Sequence, residues 1–171
     1  QKITPTAADF NDAKHAVTVQ LVYTANPQTT HVNYVDEKGN PIHTTTVSGQ
    51  TDQMVKVPNE VPAGWQLVAG ASLPTELTFT ATGYPAITVP IEHTHVTVTP
   101  DAPKTVADQL PDNPTKAYPN GVGESDLNKT ITRTITVTAP DGQVTSVKQE
   151  AKLTRTADVD EVTGAVKYSD W

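Results

Sequence analysis

The sequence contains no cysteine, a single methionine, and few aromatic residues: two tryptophans, five tyrosines and two phenylalanines among 171 positions. Without cysteine, no disulfide can hold a small fold together and no thiolate can act as nucleophile or metal ligand. No apolar run approaches the roughly 18 residues that a membrane-spanning helix needs. Positive charge is also scarce, with 12 Lys and Arg against 19 Asp and Glu and a formal net charge of −7. That balance argues against nucleic acid, whose binding depends on neutralising phosphates, and against long-range attraction to acidic polymers. Catalytic signatures are missing too: there is no His-Glu-x-x-His, no Gly-x-Ser-x-Gly and no phosphate-binding glycine loop. With neither leader nor anchor motif, the sequence reads as a segment of a longer chain.

What is present is threonine and valine, punctuated by 14 prolines and nine glycines. β-Branched side chains are stiff at χ1 and pack well on a pleated surface, so the composition favours short strands over helices. With 36% hydrophobic residues, the expectation is a mainly β chain of two small elongated domains in tandem. Residues 16–24 alternate, with Val17, Val19, Leu21 and Tyr23 on one parity, until Asn26-Pro27 ends the run. A hairpin follows, His31 to Val35 and Pro41 to Val47. A three-residue loop ending at a left-handed Gly39 would pair Tyr34 with Ile42 and Val32 with Thr44. Between Met54 and Gly70 the prolines leave room for at most a short helix. Strands are expected at 77–80 and 87–98, with a bend near His93 to His95, where the apolar parity changes.

Residues 99–123, rich in Pro, Asp and Gly, mark a junction. Beyond it, Pro140-Asp141-Gly142 turns a second hairpin that pairs Ile135 with Val147 and Ile131 with Ala151 on a buried face. A last strand spans 164–168. The resulting division is a strand segment at 1–27, a β domain at 28–100, a junction at 101–128 and a second β domain at 129–171. The last has few strands for an independent sheet. The 16–24 strand therefore reads as the closing strand of a preceding repeat, able to complete the 129–168 sheet of another molecule in head-to-tail chains.

Two stretches resemble a known family. Tyr34-Val35-Asp36 through Gly39 to Ile42 is similar to the opening of mucin-binding domains. Thr132-Arg133-Thr134-Ile135, Pro140-Asp141-Gly142, Gln149, Leu153-Thr154-Arg155-Thr156, Asp160, Val162-Thr163-Gly164, Tyr168 and Trp171 resemble the second half of Mub-type repeats. The resemblance covers residues 31–171. It implies a β-grasp (ubiquitin-like) tendency and a repeat of lactobacillus-type adhesins, extracellular on the bacterial cell wall, that binds mucin glycoprotein or its glycans. It implies no catalytic residues, no membrane insertion and no required cofactor. Adjacent repeats of the same protein would be neighbours. Two other functions stay open: binding a host protein such as immunoglobulin by strand addition at an exposed β edge, and a structural spacer.

Candidate ligand contacts are the loop tyrosines Tyr84 and Tyr118 and the polar face of Thr130, Thr132, Thr134, Lys148, Glu150 and Lys152, whose plainer reading is a solvated sheet face. Trp65 and Trp171 have the chemistry to stack on sugars, but their place in apolar patterns favours the core. His93 and His95 share a strand face that His31 or His43 could approach from a neighbouring strand, which suggests zinc; ordinary surface histidines are the plainer reading. Oxygen-rich loops at Asp108, Asp112, Asn113, Glu124 and Asp126, and at Asp158, Asp160 and Glu161, suggest calcium, against solvated turns.

Overall fold

The computed structural model describes residues 24–171 in full and, ahead of them, the backbone of 10–11 and 16–17. In chain order its elements are β1 (Phe10–Asn11), β2 (Ala16–Val17), β3 (Pro27–Val35), β4 (Pro41–Gln50), β5 (Met54–Lys56), β6 (Trp65–Leu67), β7 (Glu76–Thr78), β8 (Ile87–His93), β9 (His95–Val98), α1 (Glu124–Leu127), β10 (Asn128–Thr138), β11 (Val144–Thr154), β12 (Ala157–Asp160) and β13 (Val166–Tyr168). The fold is mainly β, and among the described residues no helix is long and apolar enough to cross a membrane. Of the strand expected at 16–24, Ala16 and Val17 pair with Asn11 and Phe10. Residues 18–23 lie outside the described residues, and so does the proposed pairing with another molecule.

The first hairpin shows how a bulge serves a core. Gly39 donates to the Asp36 carbonyl and the Asp36 amide to Asn40, closing the three-residue loop with Gly39 at φ +82°. Val35 then faces Pro41, but Tyr34 faces His43 and Val32 faces Thr45. The expected pairing of Tyr34 with Ile42 therefore fails, because Ile42 is the extra residue of a bulge. A one-residue shift moves every later side chain to the other sheet face. Here it turns Thr45 and Val47 inward beside Thr30, Val32 and Tyr34, all five buried, and leaves Ile42 at the surface.

The first sheet has the order β4-β3-β8-β6, with β3 and β8 parallel, and β5 pairs with β7 alongside. Its core gathers Val32, Tyr34, Phe79, Val89 and Ile91, each fully buried. The Met54 to Gly70 span holds no helix; it forms β5 and β6, and Pro58 and Pro62 interrupt the backbone bonds a helix would need. The Tyr34 hydroxyl accepts the Glu60 amide at 3.0 Å, which ties this span to the sheet.

The strand expected at 87–98 does break, at Thr94, and its two parts join different sheets. β8 stays in the first sheet, while β9 pairs with β12 in the order β13-β12-β9. The chain thus changes sheets six residues before the division expected at residue 100. Residues 101–128 are no mere linker either: Leu110, Tyr118, Val122 and Leu127 pack on Val98, Ala157 and Val159 to form a second core. Residues 158–160, expected in a turn, form β12, because Ala157 and Val159 supply an inward face while the intervening aspartates point out.

The β10–β11 hairpin keeps its expected register, with Ile135 opposite Val147, Ile131 opposite Ala151, and Gly142 at φ +80°. Its expected buried face is not buried. Ile131 and Val147 are about half exposed, at 47% and 51%. The physical reason is the course of the chain after Thr154, which turns to place β12 on β9 and leaves a two-stranded ribbon with no layer of the described residues against either face.

The two sheets meet in a backbone knot. The Thr94 amide donates to Gly64 O, the Gly64 amide to Asp112 O (both 2.8 Å), and the Glu161 amide to Thr94 O at 3.0 Å. Gly64 holds φ +81°, and a Cβ there would come within 3.0 Å of Asn113 Nδ2 and 3.1 Å of Val162. Gly64→Ala should therefore cost about 1 to 3 kcal/mol through backbone strain and crowding. Gly70→Ala, also at positive φ but with nothing nearby to clash, should cost less. Chemical denaturation of both variants checks the order.

Candidate functional site

A cleft of ≈530 Å³ opens beside the knot, bounded by the Asp36 to Lys38 turn, β6, the β8–β9 corner and Asp112. That size lies within the roughly 300 to 1,000 Å³ usual for small-ligand sites. The antiparallel register of β6 and β8 sets Trp65 opposite His93 and Gln66 opposite Glu92. Trp65 and His93 meet edge to face, with centroids 4.3 Å apart, and Gln66 Nε2 donates to Glu92 Oε1 at 3.1 Å. Both histidines at the corner bond to β12 through Nδ1: His93 to Asp160 at 2.8 Å and His95 to Asp158 at 2.9 Å. A neutral imidazole that donates from Nδ1 keeps Nε2 as an acceptor.

Beneath the corner lie two buried groups with unused capacity. Glu161 is fully buried; Oε2 accepts the Asp112 amide at 2.8 Å, while Oε1 has no partner among the described residues. Thr94, on the cleft wall, spends its amide and carbonyl on the knot, and its hydroxyl is likewise buried and unpartnered. Such groups are uncommon in folded proteins and call for an occupant or a functional reason. Around the opening, the carboxylates of Asp36, Glu37, Glu92 and Asp112 outnumber the one lysine, Lys38, which lines it together with His93 and His95.

Burial by itself would raise the pKa of Asp160. The Thr163 amide, His93, the Thr163 hydroxyl and the Val162 amide outweigh it and hold the carboxyl far below the usual range. Asp36 is also held low, chiefly by the side chain and amide of Asn40, and Glu60 by the Thr45 hydroxyl and His43. Burial first, then the charges of Glu161 and Asp108, pushes the Tyr118 phenol up.

The residues singled out in sequence fare unevenly. Tyr118, expected in an exposed loop, is 5% exposed in the second core, because residues 108–118 fold onto it. Tyr84 is half buried against the first core. Thr130, Thr132 and Thr134 do sit opposite Lys152, Glu150 and Lys148 on one exposed ribbon face. Trp171, expected in the core, is 45% exposed and lies against the Arg155 guanidinium. Trp65 does pack on the first core, but it also lines the cleft.

The acidic residues do not converge. Asp108 accepts the Thr105 amide and hydroxyl, Asp126 accepts the Gly123 amide, Asp112 lines the cleft and Glu124 is exposed in the first turn of α1. His31 bonds to Thr46, and His43 to Thr45 and Glu60, so neither approaches His93 and His95. Among the described residues no three His, Asp or Glu side chains are grouped as a metal would require. Sequence reasoning missed the cleft partnership of Trp65, Gln66 and Glu92, since only the β6–β8 register brings them together. No local motif announces it.

The depressed Asp160 pKa carries a stability signature. A carboxyl lowered on folding contributes stability that is fully present above its unfolded value near pH 3.9, and that stability is lost as pH falls through that value toward the folded one. Thermal unfolding followed from pH 7 down to about 2 should show a declining midpoint below about pH 4. The decline should be shallower in Asp160→Asn, which cannot titrate there.

Residues 122–171 match the family model described as the Muc B2-like domain. Among solved structures, the chain is similar to the type 2 repeat of the mucus binding protein MUB from Lactobacillus reuteri, with 25% identity and a TM-score of 0.40 over 84% of this chain and 74% of that one. It is also similar to the crystal structure of Mub-RV, with 22% identity and a TM-score of 0.46 over 84% and 71%. No curated protein matches it. Across its last 50 residues, from Val122 to Trp171, the chain thus carries the Muc B2-like pattern, and this agrees with the Mub-type repeat that its sequence resembles.

Proposed function

We propose that this chain is an adhesive repeat of a bacterial cell-surface protein, displayed outside the cell beside further repeats, and that it binds host mucin through its glycans. The observation that carries this reading is the Muc B2-like match over residues 122–171. The order β4-β3-β8-β6, with a hairpin beside a central parallel pair, supports a β-grasp plan in which strands and loops stand where a helix would pack. Such a repeat needs no catalytic group and no cofactor: a rigid surface with weak contacts is enough. Tandem copies then raise avidity by roughly 10² to 10⁴ where geometry allows simultaneous engagement.

A second reading draws on the β10–β11 ribbon. Among the described residues both of its strands have only each other as partners, and its faces are exposed. Open edges of this kind accept a strand from another protein, which would suit a host protein such as immunoglobulin. Retention on immobilised mucin, before and after enzymatic removal of its sugars, separates the two. Glycan adhesion predicts loss of most binding on sugar removal. Binding that survives sugar removal supports protein recognition, and silence on both surfaces would make the chain a spacer.

A further inference from the structure

We infer that the cleft beside Trp65 is a saccharide seat, and that it takes an uncharged sugar, a neutral hexose or N-acetylhexosamine, in preference to a sialylated or sulfated one. This rests on the adhesion reading above and assigns it a place and a ligand class. A pyranose has an apolar C–H face and a rim of hydroxyls. The cleft offers the matching pair, an indole beside a cluster of acceptors. Aromatic rings with a few directed polar groups are the usual makings of a small-molecule site. Glu92 uses one carboxylate oxygen on Gln66; the other has no partner among the described residues and can accept sugar hydroxyls. His93 and His95 are held through Nδ1 by Asp160 and Asp158, and Nε2 of each ring has no hydrogen-bond partner among the described residues.

The unpartnered hydroxyl of Thr94 is the independent sign of an occupant. Thr94 is 5% exposed, lies on the cleft wall and has no hydrogen-bond partner for its side chain among the described residues. A buried hydroxyl left unpaired is destabilising, and a turn of the Thr94 side chain toward the cleft would let a ligand hydroxyl or its bridging water pair with it. The backbone of the walls need not rearrange to receive a ligand, since the knot of Gly64, Thr94, Asp112 and Glu161 fixes it from both sheets. Preformed walls keep the ordering cost of binding low.

Charge sets the class. Four carboxylates against one lysine repel a ligand carboxylate or sulfate at short range, as the net charge of −7 does at long range. Sugar hydroxyls, by contrast, donate to carboxylates, and those hydrogen bonds are the stronger, charge-assisted kind.

The test measures binding of the whole chain to three probes: sialylated mucin, the same mucin after desialylation, and the same mucin with its sugars removed. The expected result is binding to desialylated mucin about tenfold tighter than to the sialylated form, and none to the stripped protein. Glu92→Gln, a near-isosteric change at a half-exposed position, should weaken desialylated-mucin binding about fivefold and narrow the discrimination against sialic acid, with the thermal midpoint unchanged. Trp65→Ala should abolish binding; because Trp65 also packs on the core, Glu92→Gln decides if that variant unfolds. Wild-type binding to desialylated mucin that Glu92→Gln leaves unaltered overturns the cleft assignment while the adhesion reading stands. Tighter binding to the sialylated form overturns the ligand class. Wild-type silence on all three mucins overturns the adhesion reading itself, and the cleft assignment with it.

Discussion

The chain passes from one sheet to the other at Thr94, and the backbone bonds around that residue fix most of what lies nearby. Thr94 donates to Gly64 and accepts from Glu161, while Gly64 donates to Asp112. Four segments distant in sequence are thereby held together by hydrogen bonds, and only a glycine fits at position 64 without strain. The knot ends β8, starts β9, seats β12 beside β9 and leaves the cleft open at its edge. With no cysteine in the chain, this crossing relies on hydrogen bonds and the His93–Asp160 and His95–Asp158 pairs.

Local features of this fold were legible in sequence, and long-range ones were not. Gly39 and Gly142 announced their loops because a three-residue turn requires a left-handed residue at its end, and the β10–β11 register followed from the Pro140-Asp141-Gly142 turn. The bulge at Ile42 could not be read, because it serves Val47 and Thr45 rather than the turn. The parity break near Thr94 was visible; that its two sides enter different sheets was not. β12 escaped notice because Asp158 and Asp160 look like turn residues until His93 and His95 stand opposite them. The alternation in the ribbon suggested a buried face, yet alternation shows that a strand is two-sided without saying that anything covers it.

The same asymmetry holds for the candidate site. The tyrosines and the Thr/Lys face were chosen for local character, and of these the ribbon face alone is assembled at the surface as expected. The cleft draws its residues from β6, β8, β9 and two loops far apart in sequence, so no local spacing could have announced it. An acidic cleft on an acidic chain also suits the adhesive role proposed above. With no long-range attraction to a sialylated coat, attachment would depend on short-range contacts to neutral sugar faces and on repetition of the module.

The most direct measurement is backbone and indole amide mapping by NMR as neutral, desialylated mucin glycopeptide is added to the isotopically labelled chain. The account predicts shifts concentrated at the Trp65 indole, Gln66, Glu92 to His95 and Asp112, with the amides of Lys148 to Lys152 unmoved. Shifts confined to the β10–β11 ribbon, with Trp65 silent, would contradict it.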